Sequence, residues 1–124
     1  MEKLNTIQKR ENLNNISALG NRGNGNAHHT YLIKSAIPDI ERDGVVFLEI
    51  QFQDGARKEL GSTHGVLDSD LLEIVRHRLS GFQAGDFANR ETAIALTHIE
   101  EALLWLNKRV EDRIDRGILG THNK

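Results

Sequence analysis

Residues 89–117 read NRETAIALTHIEEALLWLNKRVEDRIDRG, and this run decides the fold. No proline interrupts it and no glycine precedes Gly117, so nothing in it opposes a helix. Asn89 can cap the first turn, because its side-chain oxygen accepts an amide left without an intrahelical partner. Glu91 lies near the positive end of the helix dipole, and Arg113 and Arg116 lie near the negative end. Gly117 is the expected stop, as the residue that most easily takes a left-handed conformation. Leu96, Ile99, Leu103, Leu106 and Val110 recur at steps of three and four and form an apolar seam. Ile94, His98, Ala102, Trp105, Arg109 and Arg113 form a second stripe beside it. Such a helix is about 43 Å long, whereas a compact domain of this chain length is about 35 Å across. The helix is therefore expected to overhang one copy and pack against another, most simply in a two-fold dimer.

The stretch before it predicts a second, shorter helix. Asp68 or Ser69 can cap it, and Leu71, Leu72, Ile74, Val75 and Leu79 give it an apolar face as far as about Ser80. Gly81 is the expected end, which puts Phe82 and Gln83 in the joint between the helices. A phenylalanine between Gly81 and Gly85 either plugs the joint or offers its ring to a flat ligand such as a nucleobase. Phe87 is expected to plug.

Residues 28–64 read as a small antiparallel sheet of about three strands. Thr30–Ile37 is the first, closed by Pro38. Asp43-Gly44 turns the chain into a second over residues 45–53. There Val46, Leu48, Ile50 and Phe52 face one way and Glu49, Gln51 and Gln53 the other. Asp54-Gly55 signals a hairpin, with Arg57–Leu60 returning. A two-residue turn would set Phe52 opposite Arg57, so a bulge or longer loop is expected to shift the register. A sheet this small needs a cover, which the helices can supply. Residues 1–27 are polar; Leu4, Ile7, Leu13, Ile16 and Leu19 suggest a weak amphipathic helix over residues 3–19, ahead of an open Gly/Asn loop. Residues 118–124 read as a short tail that frays or docks on a neighbouring subunit. The expected class is α+β, in a single domain over 1–124: a polar segment 1–27, a sheet 28–64, a helical part 66–117 and a tail 118–124.

Composition narrows the function. The chain has 124 residues, a net charge of −2 and no cysteine. The charge implies no general affinity for DNA or RNA, and the missing thiols exclude disulfides and cysteine nucleophiles and fit a reducing compartment. No apolar run suggests a signal peptide or a membrane span. Six histidines show no metal-ligand spacing. His28-His29-Thr30 matches one half-motif of the two-histidine phosphoesterases, but the second half is missing, so no catalytic residue, cofactor or metal is assigned. Glu100 and Glu101 are expected to be solvated on a helix flank. What remains is a binding kit. Arg109 has Asp112 within reach at i+3, and Asp112 can also serve Lys108 or Arg116. Arg113 has no acidic neighbour one turn away, so it either pairs with an acid from elsewhere or holds an anionic ligand.

The C-terminal half resembles the phage anti-Thoeris proteins, a sponge class that sequesters cyclic ADP-ribose isomers made by bacterial TIR-domain defence enzymes. The resemblance is carried by Asp70-Leu71-Leu72-x-Ile74-Val75, by Arg78-Leu79-x-x-Phe82-Gln83-x-Gly85-x-Phe87, and by the run from Glu100 through Trp105, Arg109, Asp112, Arg113 and Gly117 to Gly120-Thr121-His122. It implies a non-enzymatic protein of the host cytoplasm, infected or lysogenic, that is a homo-oligomer (a dimer or higher assembly) built through its helices, with ligand pockets near subunit contacts. It further implies Phe82 as the base-stacking residue with Gln83 beside it, Arg109 and Arg113 on the phosphates, and Thr121 and His122 close by. Where the family carries asparagine this chain has Thr92, whose hydroxyl supplies only part of what an amide offers. Some members are thought to hold cyclic oligonucleotides in a second pocket, for which Arg57 and His64 are the candidates. Against sequestration stand two rivals, a cyclic-nucleotide phosphodiesterase and a purely structural oligomer in which the arginines tie subunits together.

Overall fold

A computed structural model describes residues 1–36 and 44–124. The expected end of the first strand at Ile37, its stop at Pro38 and Asp43 of the turn lie outside the described residues. The chain divides into two compact units, residues 1–65 and 66–124.

The first unit is an antiparallel sheet of β1 (Glu2–Lys3), β2 (Asn14–Leu19), β3 (Thr30–Ser35) and β4 (Val46–Gln51), ordered as in the sequence. One pleat face carries Ile16, Ile33 and Leu48 in register, with Ala18, Tyr31 and Ile50 in the next row. The period-two reading of β4 holds for Leu48 and Ile50, which share a face with Glu49 on the other, opposite Leu32, but not for Val46, which pairs with Lys34 and lies off that face. A register shift between Ile33 and Lys34 accommodates one additional residue on β4. Ser17 and Ala18, on an inner strand, are the most buried residues of this unit.

Two expectations for this unit fail. Residues 3–19 form no helix: their second half is β2, and Ile7 is fully exposed. Short polar side chains compete with a helix here. The Asn12 amide donates to the Gln8 carbonyl at 2.8 Å and that of Gln8 to the Arg10 carbonyl at 3.1 Å, closing a local turn instead. Ile16 then sits where Ile33 can cover it. Nor do Arg57–Leu60 return as a strand. Asp54 pairs with Thr63, through amide–carbonyl bonds of 2.9 and 2.8 Å, and the residues between form a turn-rich loop. The awkward pairing of Phe52 with Arg57 is thereby avoided. Phe52 instead meets Tyr31 edge-on, with 5.6 Å between ring centres, and Arg57 binds the loop back to Gln53 and Gly65.

Gly65 closes that loop against the end of β4. A Cβ at this position would lie 2.3 Å from the Gln51 carbonyl oxygen and 2.6 Å from the Phe52 carbonyl carbon, both fixed backbone. Gly65→Ala is therefore expected to destabilise the sheet unit by about 2–3 kcal/mol, read as a lower midpoint in urea with Tyr31 fluorescence as probe.

The second unit is a helical hairpin of α1 (Asp68–Gln83) and α2 (Arg90–Asp115). The long helix is as the sequence predicts. Asn89 caps it, its side-chain oxygen accepting the Thr92 amide at 2.7 Å. Gly117 ends it at φ 69°, and the Gly117 and Ile118 amides return to the carbonyls of Ile114 and Arg113 at 3.0 and 2.9 Å. Leu96, Ile99 and Leu103 are half-buried along the seam, whereas Leu106 and Val110 are exposed. α2 has 26 residues against 16 in α1, so its last turns have no α1 beside them.

The shorter helix departs from expectation at both ends. Its cap is Leu67, whose amide is held by the Asp70 carboxylate at 2.8 Å, so Asp68 and Ser69 are already inside the helix. Gly81 does not stop it either. The helix runs to Gln83, because the Gln83 side chain forms two bonds with the Asn89 backbone, at 3.1 and 3.0 Å, that outweigh the low helix propensity of one glycine. Glu100 keeps 44% of its side chain exposed on the helix flank and is also ion-paired there. It takes the Arg76 guanidinium at 3.0 Å across the hairpin, and Glu73 takes it at 3.2 Å.

Candidate functional site

The candidate residues fall into three groups. At the head of the hairpin stand Phe82, Gln83 and Thr92. Extension of α1 places Phe82 on a helical turn, not in a free joint. Its ring is half-buried, 6.2 Å from that of Phe87. The Arg78 guanidinium lies over it, 5.0 Å from the ring centre. Phe87 is 73% exposed and does not plug the joint. Gln83 spends both ends of its amide on Asn89, and Asn89 holds the Thr92 amide, so these three residues form one clip that fixes the turn.

At the foot stand Arg109, Arg113, Thr121 and His122. Asp112 pairs with Arg116 at 3.3 Å, one of the two alternatives to Arg109 that the spacing allows. Arg109 is exposed, and among the described residues it has no acid or hydrogen-bond acceptor. Arg113 is 8% exposed. Among the described residues it meets no acid; its guanidinium donates to three main-chain carbonyls, of Asn123 at 2.8 Å, Thr121 at 2.9 Å and Ile118 at 3.2 Å. Residues 118–123 are thus folded back onto the helix end and do not fray. Thr121 adds a bond from its hydroxyl to the Ile118 carbonyl at 2.6 Å and accepts the Asn123 amide at 3.2 Å. His122 is exposed within this turn.

Head and foot are far apart in one chain. At 1.5 Å per residue, Arg109 lies about 28 Å along α2 from Arg90, beside which the Gln83 clip sets Phe82. The hairpin therefore brings Phe82, Gln83 and Thr92 together, and separately Arg109, Arg113, Thr121 and His122, but not the two sets. Between them Ile94, Leu104 and Trp105 are exposed apolar side chains, the last two at 71% and 64%, beside exposed His98 and Glu101.

The third group, Arg57 and His64, belongs to the sheet unit. Arg57 gives Nε to the Gln53 side-chain oxygen at 3.0 Å and an Nη to the Gly65 carbonyl at 3.1 Å. His64 is exposed and unpartnered among the described residues. The adjacent His28 and His29 go separate ways, to Glu2 at 3.3 Å and Asp54 at 3.4 Å. Asn24 donates to the Asp54 carboxylate at 2.9 Å and, with help from His29, holds its pKa below the ordinary value. Among the described residues no three histidine or acidic side chains gather as metal ligands, and no helix is long and apolar enough to cross a membrane.

Sequence reasoning missed two features. One is Arg78, four residues before Phe82 and without an acid within a turn, a spacing that does announce the ring contact. The other is the clasp of Arg113 on the tail, announced only by that arginine's lack of acidic neighbours.

Comparison with known proteins agrees with the hairpin. A family model described as "Acb2/Tad1, hairpin domain" matches residues 45–111, from the last strand through most of α2. The chain is also similar to "Thoeris anti-defense 1" of Bacillus phage SBSphiJ7, with 48% identity over 75 residues. That match covers 60% of this chain and 52% of the relative, so the chain spans about half the length of that curated protein.

Proposed function

The chain belongs to the Acb2/Tad1 hairpin-domain family, and from that premise we propose that it counters Thoeris defence by binding cyclic ADP-ribose isomers made by TIR-domain enzymes. It holds them unaltered in the cytoplasm of the infected or lysogenic host, and the downstream effector is never triggered. The name of the phage relative supports the anti-Thoeris role. The chemistry of the hairpin supports the ligand class: an aromatic ring at one end for a base, and guanidinium groups at the other for phosphates.

The observation that carries the reading is the solitary state of Arg109. An exposed guanidinium with no partner among the described residues, on a helix whose nearest acid is bonded elsewhere, is free to take an anionic oxygen. Because Phe82 lies about 28 Å from it along the hairpin, a pocket that uses both must draw them from two copies. The exposed apolar stripe through Leu104 and Trp105 is the surface on which such copies would meet. Arg113 enters this scheme chiefly as a positioning residue, because its donors hold the turn that carries Thr121 and His122. A second pocket for cyclic oligonucleotides would draw on His64 and the remaining donors of Arg57.

Capture of a scarce messenger requires a nanomolar dissociation constant, about −12 kcal/mol. Stacking at about 1–3 kcal/mol per base and charge-assisted bonds at about 1.5–3 kcal/mol each approach that in a preformed pocket. Protein loaded with the product of a TIR-domain cyclase, then heat-denatured, is expected to release the nucleotide with its mass unchanged. Recovery of a linear, hydrated product in the mass spectrum instead makes the protein a phosphodiesterase.

A further inference from the structure

We infer that Arg78 is a further binding residue of the nucleotide site, the outer jaw of a clamp whose inner jaw is Phe82. The inference rests on the nucleotide reading above and gives Arg78 a role in the site that the sequence analysis did not assign it. Arg78 and Phe82 are one helical turn apart on α1, and the guanidinium sits 5.0 Å from the ring centre. Phe82 is half-buried and Arg78 is exposed, so the arginine covers the ring on its solvent side. A base that stacks on that side has to enter where the guanidinium now lies.

Two properties let it enter. No acid pairs with Arg78 among the described residues, and its stem is exposed, so nothing pins the guanidinium except the ring itself. Flat groups stack at about 3.5 Å, so ring, base and guanidinium in sequence need about 7 Å between the outer two. An outward swing of about 2 Å by a flexible side chain provides it. A guanidinium plane stacks on a base as readily as on a phenyl ring, so Arg78 keeps a flat partner when the base arrives. In the empty site it shields the ring from water; in the filled site it closes the base in from the other face. A lysine offers the same charge at this position but no plane.

Titration calorimetry with a cyclic ADP-ribose isomer tests this, on the full chain and on Arg78→Ala, Arg78→Lys and Phe82→Ala, each first checked for an unchanged melting temperature. The expected result is that Arg78→Ala and Arg78→Lys weaken binding alike, by about five- to 150-fold, the range for loss of one stacking partner. Phe82→Ala is expected to weaken it at least as much. Wild-type affinity in Arg78→Lys shows that charge alone suffices and overturns the clamp. Unchanged or tighter binding by Arg78→Ala shows that the arginine merely covers the ring and overturns it as well. Should the full chain itself take up no cyclic nucleotide, the nucleotide reading fails and the clamp with it, an outcome separate from binding that ignores Arg78.

Discussion

Replacing Arg113 by alanine is expected to release residues 118–124 from the end of the long helix and to destabilise the hairpin by about 3 kcal/mol. The reason is a buried charge whose whole solvation comes from the backbone. Its guanidinium is 8% exposed and donates to the carbonyls of Ile118, Thr121 and Asn123. Bonds to charged groups contribute about 1.5–3 kcal/mol each, and a carbonyl left buried without a partner costs about 1–3 kcal/mol. Part of that cost is recovered as the freed tail moves into water, so the net loss stays near the value of one or two bonds. Amide exchange of Ile118, Thr121 and Asn123 should rise steeply, while that of Ile99 and Leu103 should change only as much as the global stability does. Arg113→Lys restores the charge but not the fork: two nitrogens on one plane now address carbonyls from two sides of the turn, and a single ammonium cannot span them. It is therefore expected to leave Asn123 or Ile118 unprotected. If both variants keep the tail protected, the clasp is not what folds it, and Arg113 reverts to a simple ligand-binding residue.

The clasp also shows where reading the sequence ran out. The parts of the second unit that depend on neighbours within a turn were legible: the cap at Asn89, the stop at Gly117, the apolar seam, and the competition of Arg116 for Asp112. Each is decided by residues within about five positions. The absence of an acid one turn from Arg113 was equally visible, and it correctly marked that arginine as unusual. What it binds depends on the chain reversing after Gly117 and presenting carbonyls, which carry no residue-specific signal in a sequence. The same distinction explains the first unit. Alternation placed Leu48 and Ile50 on one face because both belong to a single strand. The pairing of Ile16 with Ile33 joins segments seventeen residues apart, and without it the steps from Leu4 to Leu19 fit a helix. Gly81 misled for the opposite reason: a local signal was overridden by the Gln83–Asn89 bonds. Those bonds carried Phe82 onto the helix and under Arg78.

The composite site makes the largest and sharpest prediction, because it separates two chains with identical defects on paper. Phe82→Ala should weaken nucleotide binding by about 1–3 kcal/mol, the value of one stacked base, and Arg109→Ala by about 1.5–3 kcal/mol, the value of one charge-assisted bond. At a ligand concentration between the intact and the damaged dissociation constants, neither variant alone retains nucleotide. If each pocket takes its ring from one copy and its guanidinium from another, a mixture refolded together behaves differently. In a two-fold dimer drawn at random from equal amounts of the two variants, half of the dimers are mixed. A mixed dimer joins the intact ring of one chain to the intact arginine of the other in one pocket, and both defects fall in the second. About a quarter of all pockets are then whole, and the mixture should retain about a quarter of the nucleotide held by the unmodified protein. The retained fraction should bind with unmodified affinity, which distinguishes rescue from the weak binding of many damaged pockets. A site contained in a single chain gives no rescue at any mixing ratio, since every chain carries a defect. Disrupting the apolar contact supplies the complementary arm. Trp105→Glu places a charge on the exposed stripe between head and foot, and in the two-copy arrangement it should abolish both the assembly and the binding while Phe82 and Arg109 remain untouched. Binding that survives as a monomer would mean that ring and guanidinium never share a ligand.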